Sequence, residues 1–317
     1  MKIVVIAGIL ILILFVLQFV LSGLYGFITP VHHAPKTENR RKFIILIPAR
    51  NEEMVLGNLL SSLEHQNYPK DRYEICVIAN GCTDSTEHIV KEHGCSLISM
   101  KQAGSKGEVL AHAFHILQSS DRCDAYVVFD ADNIVAPDFL SAMNESMQEG
   151  YEIIQGRRTG KNSRDNLISS IYELFYMMQN IFFNHTRMCI HSSAILNGTG
   201  WAVSARWIRK HGFPVKTMTE DLELSALACL TDTVIGYCHD ACTYDEFPNT
   251  FSKQLHQLQR WVYGQVECLR IYEWKLLRKS CFCSFARDLL LVFLTPVLVL
   301  AVLLFLLAGV LFMPETW

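Results

Sequence analysis

Asp130-Ala-Asp132 follows directly on Ala125-Tyr-Val-Val-Phe129, the most apolar short run in the polar part of the chain. Two carboxylates one residue apart, where a strand is just ending, can face one pocket. Such a pair can hold a hard divalent cation that bridges a diphosphate. Asp-x-Asp pairs also occur on solvated turns, and the strand-end position is what separates this one from them. Thr219-Glu220-Asp221 is a second acidic cluster, placed directly before the helical stretch Leu222–Leu230. Thr219 suits the cap of that helix. Asp221 can accept the proton of an attacking hydroxyl as a new bond forms, with Glu220 as the neighbour that shapes its pKa. Gln257-Leu-Gln-Arg260-Trp261 is the third cluster. On a helix, Gln257 and Arg260 share a face. Arg pairs bidentately with a diphosphate, and Trp offers a flat apolar face to a ring. Alone, this segment also reads as an ordinary amphipathic helix.

These clusters need a frame. Phe43-Ile-Ile-Leu-Ile47, closed by Pro48, suits a strand buried on both faces. Leu56, Leu59, Leu60 and Leu63 follow at helical spacing. Ile75-Cys-Val-Ile78 reads as a second strand, ended by the turn-rich Asn80-Gly-Cys-Thr-Asp84, and Ser96–Met100 as a third. Leu110, Ala113, Phe114 and Leu117 share one helical face before the Ala125–Phe129 strand. Strands alternating with helices predict an α/β fold, a mostly parallel sheet covered on both sides. Ligands of such sheets bind at the carboxyl ends of the strands, where Asp130 and Asp132 stand.

The surroundings of this domain are apolar. Of 317 residues, 50% are apolar and 19% charged, against about 25% charged in an average soluble protein. Mean hydropathy is +0.21. Ile3–Leu21 carries no charge and is interrupted only by Gly8 and Gln18; Leu289–Met313 carries none either. Each can cross about 30 Å of hydrocarbon as a helix. Disorder, a collagen-like chain, a simple cytosolic enzyme and a many-helix transporter are excluded. Lys36, Arg40, Arg41 and Lys42 follow the first block, and Arg270, Lys275, Arg278, Lys279 and Arg287 precede the second. The positive-inside rule then predicts a cell-membrane protein with two spans, a cytoplasmic central domain and both termini outside. A cleaved signal peptide is the rival reading of the first block, disfavoured by its length and the lack of a small-x-small site. A net charge of −3 gives no sign of nucleic-acid binding.

The 11 cysteines are scattered, without the two-residue spacing of a zinc or redox motif. In a reducing cytoplasm they read as small buried hydrophobes, with Cys281 and Cys283 as candidates for acylation. The sequons at Asn144, Asn184 and Asn197 would go unused on this topology. From Asn166 the pattern changes. Leu167, Ile168, Ile171, Tyr172, Phe175, Met178 and Phe182 form one wide apolar stripe, and Leu255, Leu258, Trp261, Val262, Leu269, Tyr272 and Leu276 a second. Such stripes either pack on the sheet or lie in the membrane interface; the second leads straight into the last apolar block. The organisation expected is an N-terminal anchor (1–29), a catalytic domain (30–250), an interfacial region (251–287) and a C-terminal span (288–313).

In this order, Ile47-Pro-Ala-Arg-Asn-Glu-Glu53, Lys106-Gly107, Asp130-Ala-Asp132, Gly198-Thr-Gly-Trp201, Thr219-Glu-Asp221 and Gln257-Leu-Gln-Arg-Trp261 resemble the membrane-bound family 2 glycosyltransferases. The likeness is to cellulose, hyaluronan and poly-N-acetylglucosamine synthases, over roughly Arg41–Gly264. The resemblance implies a GT-A fold and an inverting enzyme with a UDP-sugar donor and Mg²⁺ or Mn²⁺. It implies that Pro48, Arg50 and Glu52 line the nucleotide pocket, with Lys106 near the donor and Asp130 on the nucleotide sugar. It places the metal on Asp132 and the base at Asp221. Gly198, Thr199, Gly200 and Trp201 would shape the acceptor site, and Gln257, Arg260 and Trp261 would hold the diphosphate and the acceptor terminus. Relatives often carry an acidic dipeptide after the second strand; here Ala79-Asn80 stands there, and Asn80 can still hydrogen-bond a uracil edge. The expected acceptor is a growing polysaccharide, with an export partner or a homo-oligomer completing a channel that two spans cannot enclose. A single addition to a lipid-linked acceptor and a non-catalytic nucleotide-binding scaffold are the alternatives.

Overall fold

The computed structural model describes residue 17 and residues 20–101, 104–118 and 122–312, with side chains to residue 304. The β1 run Phe43–Ala49 shows why the sheet has two cores. Side chains alternate across a strand. Phe43, Ile45 and Ile47 pack with Leu56, Leu59, Leu60 and Leu63 on one face. Ile44 and Leu46 pack with Leu110 and Phe114 on the other. The helices Leu56–Glu64 and Lys106–Leu117 supply those residues.

β1 pairs in parallel with β2 (Tyr73–Asn80) and β4 (Ala125–Val128), and β3 (Ser96–Met100) adds to β2 in the same sense. The rest of the sheet is mixed. β7 (Trp201–Ser204) runs antiparallel to β4 and to β6 (Ile153–Gly160). β8 (Ile235–Asp245) is parallel to β6, and the short β5 (Ile134–Val135) is antiparallel to β8. Among the described residues the eight strands lie in the order β3-β2-β1-β4-β7-β6-β8-β5. Parallel pairing, expected to predominate, is unbroken only as far as β4; beyond it the β6–β8 pair is parallel and three pairs are antiparallel. Up to β4 each crossover contains one α-helix, which returns the chain in the same direction. Beyond it, long excursions bring strands back from either end.

All 11 cysteines are free, and Cys76, Cys123, Cys229, Cys238, Cys242 and Cys268 are buried. Asn144 and Asn184 are fully buried, so neither presents a sequon.

Two long helices complete the fold. Phe251–Ser280 is a 30-residue helix whose buried line is Gly264, Cys268, Tyr272 and Leu276. After a break at Cys281–Cys283 comes Ser284–Phe312. Among the described residues, the stretch Ser284–Leu304 is the one helix long and apolar enough to cross a membrane. Ile3–Leu21 falls almost wholly outside the described residues. The helical residues 20–28 after it pack closely on a π-helical turn, Gln179–His185, and its continuation: a Cβ on Gly23 would meet Phe182, and one on Gly26 would meet Thr186.

The Thr219 motif is fastened to the long helix by a buried carboxylate. Glu223 accepts hydrogen bonds from the Lys216 and Thr217 amides, at 2.7 and 2.6 Å, and from the Tyr272 hydroxyl at 2.7 Å. Tyr272→Phe leaves Glu223 one donor short while keeping the ring. Hydrogen bonds to charged groups contribute about 1.5–3 kcal/mol, so a loss of that size is expected, read as a lower unfolding midpoint in detergent. An unchanged midpoint would show that the bond carries no stability.

Candidate functional site

A cleft of about 380 Å³ lies where β1 and β4 end. Pro48 and Glu52 line it from the β1 side and Asp130 and Asp132 from the β4 side. Lys106 and Gly198, Glu220 and Asp221, and Gln257, Arg260 and Trp261 line it as well. Motifs spread over more than half the chain thus share one cleft.

Lys106 is the hub. Its ammonium lies 2.5 Å from Asp130 Oδ1 and 3.0 Å from Glu220 Oε1, and donates to the Gly198 carbonyl at 2.7 Å. Burial alone would lower the Lys106 pKa, but Asp130 and Glu220 outweigh it and raise the pKa. The cation therefore ties the Asp-Ala-Asp strand end to the first turn of the helix Glu220–Leu230. In that turn Asp221 is pushed up to about 7, by burial first and the Glu220 charge second. The Leu222 amide, which donates to Asp221 Oδ1 at 2.8 Å, Lys106 and Arg158 hold it from rising further. Thr219 makes no side-chain cap, contrary to the capping expectation. Its side chain instead fills the space over Gly264, where a Cβ would come within 2.4 Å of Thr219 Cγ2. The missing Cβ lets the two site-bearing helices touch.

Asp132 is raised by burial first, then by Asp245 and Asp130, with Arg158 opposing. The cleft wall carries seven carboxylates (Glu52, Asp130, Asp132, Glu220, Asp221, Asp245 and Glu246) against the cations Lys106, Arg158 and Arg260. That excess suits a divalent ion. Among the described residues no group of three or more His, Cys, Asp or Glu side chains is arranged to enclose one. The donor set fits the mode in which one or two carboxylates and the substrate's phosphates share the cation.

Several residues of the sequence motifs stand back from the cleft wall. Trp201 is fully buried and stacks on Phe213 at 6.5 Å, so its side chain belongs to the core. Thr199 is buried too, its hydroxyl bonded to Asn133 and accepting from the Asp130 amide at 3.0 Å. Gly200 takes φ +64°, and its Cβ would meet Thr243 Oγ1 at 2.5 Å. The three shape the turn from beneath, and Gly198 alone of the four reaches the cleft. Arg50 and Asn80 also lie off the lining. Asn80 is a buried residue at the end of β2.

The sequence reading missed a buried ion pair. Arg158 on β6 donates to Asp245 Oδ2 through Nε at 2.9 Å and also through Nη2. It reaches the Asn197 carbonyl at 2.5 Å, and its guanidinium lies 4.3 Å from the Tyr176 ring centroid. Asp245 ends β8 as Asp130 follows β4, so the strand-end rule applied to β8 points to it. Asn133, next to Asp132, was missed as well; it donates to Asp245 Oδ1 at 3.0 Å.

Comparison with known proteins places the site in a family. The family model described as glycosyltransferase like family 2 matches residues 40–264. A β-monoglucosyldiacylglycerol synthase from Nostoc sp. is 27% identical over 264 residues, covering 80% of this chain and 55% of that protein. A protein named probable glucomannan 4-beta-mannosyltransferase 3, from Arabidopsis thaliana, is 25% identical over 75% of this chain and 45% of its own length. This chain spans about half the length of these curated relatives. The mannosyltransferase PcManGT from Pyrobaculum calidifontis, solved in complex with GDP-Man and Mn²⁺, superposes with a TM-score of 0.62 at 18% identity. That superposition covers 80% of this chain and 71% of PcManGT, and shows a shared mixed α/β, GT-A-like fold. Matched along the stretch that supplies the cleft's carboxylates, this chain belongs to the family 2 glycosyltransferases.

Proposed function

We propose that the chain transfers a sugar from a UDP-sugar, with inversion, to a hydroxyl of an acceptor anchored at the cytoplasmic membrane face. One observation carries this reading: Asp221, a carboxylate pushed up to about 7, lines the same cleft as Asp130 and Asp132. A general base works best with a pKa near the operating pH. The acceptor oxygen attacks the anomeric carbon, the bond from that carbon to the diphosphate breaks, UDP leaves, and the acceptor's proton passes to Asp221. Glu220 pairs with Lys106 and keeps the Asp221 pKa high, so it tunes the base. Arg260 at the rim and Lys106 meet the diphosphate. Pro48 and Glu52 on the cleft wall form the nucleotide side, with Arg50 and Asn80 set back from that wall. Asp132 would hold a Mg²⁺ or Mn²⁺, which would supply positive charge to the leaving diphosphate.

A lipid-anchored acceptor is favoured by Val292. It belongs to the helix that can span the membrane, and it also lines the cleft, as Phe175 and Phe183 do. The helix Leu167–Met178 buries Ser169, Tyr172 and Tyr176 and exposes Leu167, Ile171 and Leu174. An outward apolar stripe of this kind suits a bilayer surface. The competing reading is a growing polysaccharide, favoured by Gln257, Arg260 and Trp261 on the cleft wall; it requires an export partner or a homo-oligomer. Membranes containing the chain, incubated with radiolabelled UDP-sugars and with GDP-mannose as the alternative donor, decide between them. Label in the lipid extract is expected. High-molecular-weight product favours the polymer, and no nucleotide release from any donor leaves only a binding scaffold.

A further inference from the structure

The π-helical turn Gln179–His185 is held rigidly by two of its own amides. Asn180 donates to the Arg158 carbonyl at 2.7 Å, which ties the turn to β6. Asn184 exchanges hydrogen bonds with the Ile195 backbone at 3.0 and 3.2 Å, which ties it to the segment ending in Asn197. Both side chains are buried and satisfied. Two other amides at the same place are not. Among the described residues, Gln179 Oε1 and both polar atoms of the Asn197 side chain are buried without a hydrogen-bond partner, and both residues line the cleft. Leaving a buried amide unpaired costs free energy, and π-turns collect at functional sites. A fold that satisfies Asn180 and Asn184 while leaving Gln179 and Asn197 unpaired on the cleft lining has prepared the latter pair for a ligand.

We infer that Gln179 and Asn197 form a hydrogen-bonding subsite for a polyhydroxylated, sugar-headed acceptor, in which they bind hydroxyls flanking the one that reacts. This rests on the transferase reading above and adds the chemical class of the acceptor's head. Position assigns the subsite to the acceptor. Gly198, next to Asn197, is so close to the base that a Cβ there would lie 3.8 Å from Asp221 Oδ2. Gln179 follows Phe175 and precedes Phe183 by four residues on one helical stretch, and all three line the cleft. The chemistry matches: an amide oxygen accepts from a hydroxyl, and an amide nitrogen donates to one. An acceptor with a single hydroxyl, spent on the reaction, would leave these amides unpaired.

The test is binding, measured by intrinsic fluorescence on the full chain in phosphatidylcholine nanodiscs. The probes are octyl β-glucoside below its micellar concentration, octanol as the single-hydroxyl control, and UDP. Wild-type protein is expected to bind octyl β-glucoside saturably and at least about tenfold more tightly than octanol, the size of one lost hydrogen bond. Gln179→Leu should erase that preference while UDP affinity stays the same. Equal wild-type affinity for the two octyl probes overturns the inference whatever the variant does. So does a Gln179→Leu protein that keeps the preference, or one that loses UDP affinity in parallel, which would put Gln179 on the donor side. Because no turnover is read, a failure here is distinct from a failure of the transferase assignment, which nucleotide release reports.

Discussion

Asp221→Asn is expected to lower turnover by about 10²–10⁴-fold, the usual contribution of a positioned general base. The substitution keeps size and hydrogen-bonding capacity and removes only the ability to take a proton. The wild-type pH profile carries the same information. Asp221 is raised to about 7 because it is buried beside Glu220. A base acts in its deprotonated form, so the wild-type rate should climb as pH rises through about 7 and level off above it. Asp221→Asn should lose that limb together with the rate. Nucleotide release followed across pH checks both. Folding should survive, because the change removes a charge crowded against Glu220. An unfolding midpoint at or above the wild-type value would separate lost chemistry from lost structure. A variant with undiminished turnover would remove Asp221 as the base.

The second large effect concerns Asp132 and the cation. Chelation with EDTA is expected to abolish turnover, and added Mn²⁺ or Mg²⁺ to restore it. Asp132→Asn should fall by at least about 10³-fold, in keeping with the several kcal/mol a metal contributes to stabilising developing charge. A readout without turnover supports the assignment: Mn²⁺ with UDP should raise the unfolding midpoint of the wild-type chain and fail to raise that of Asp132→Asn. The physical ground is charge crowding. Asp132 stands near Asp245 and Asp130, with Arg158 as the opposing cation. The variant should therefore be no less stable than wild type in the absence of metal. Full activity in EDTA would show that Lys106 and Arg260 suffice for the diphosphate.

Much of the frame was legible because it is written in local periodicity. The alternation of Phe43, Ile45 and Ile47 with Ile44 and Leu46, and the helical spacing of Leu56, Leu59, Leu60 and Leu63, report burial on either side of a sheet. The antiparallel returns of β7 were not legible, because no local pattern states the direction from which a strand arrives. The Gly198–Trp201 turn shows the same limit inside a single motif. Its Gly198 reaches the cleft while its Trp201 fills the core, and the choice depends on Phe213.

By itself, the sequence determined which chemical groups this protein brings to a reaction and which of them stand at strand ends and helix starts. Composition and order carry that information. Tertiary structure alone decided how those groups act on one another. Lys106 joins Asp130 to Glu220 across the cleft, Asp221 rises toward neutrality because burial and Glu220 act together, and Arg158 finds Asp245, 87 residues away. The Gln179 and Asn197 amides gain meaning only because their neighbours are satisfied and they are not. A pKa, an ion pair or an unpaired amide is a property of what surrounds a residue. Those surroundings are assembled from distant segments, and no spacing along the chain records them.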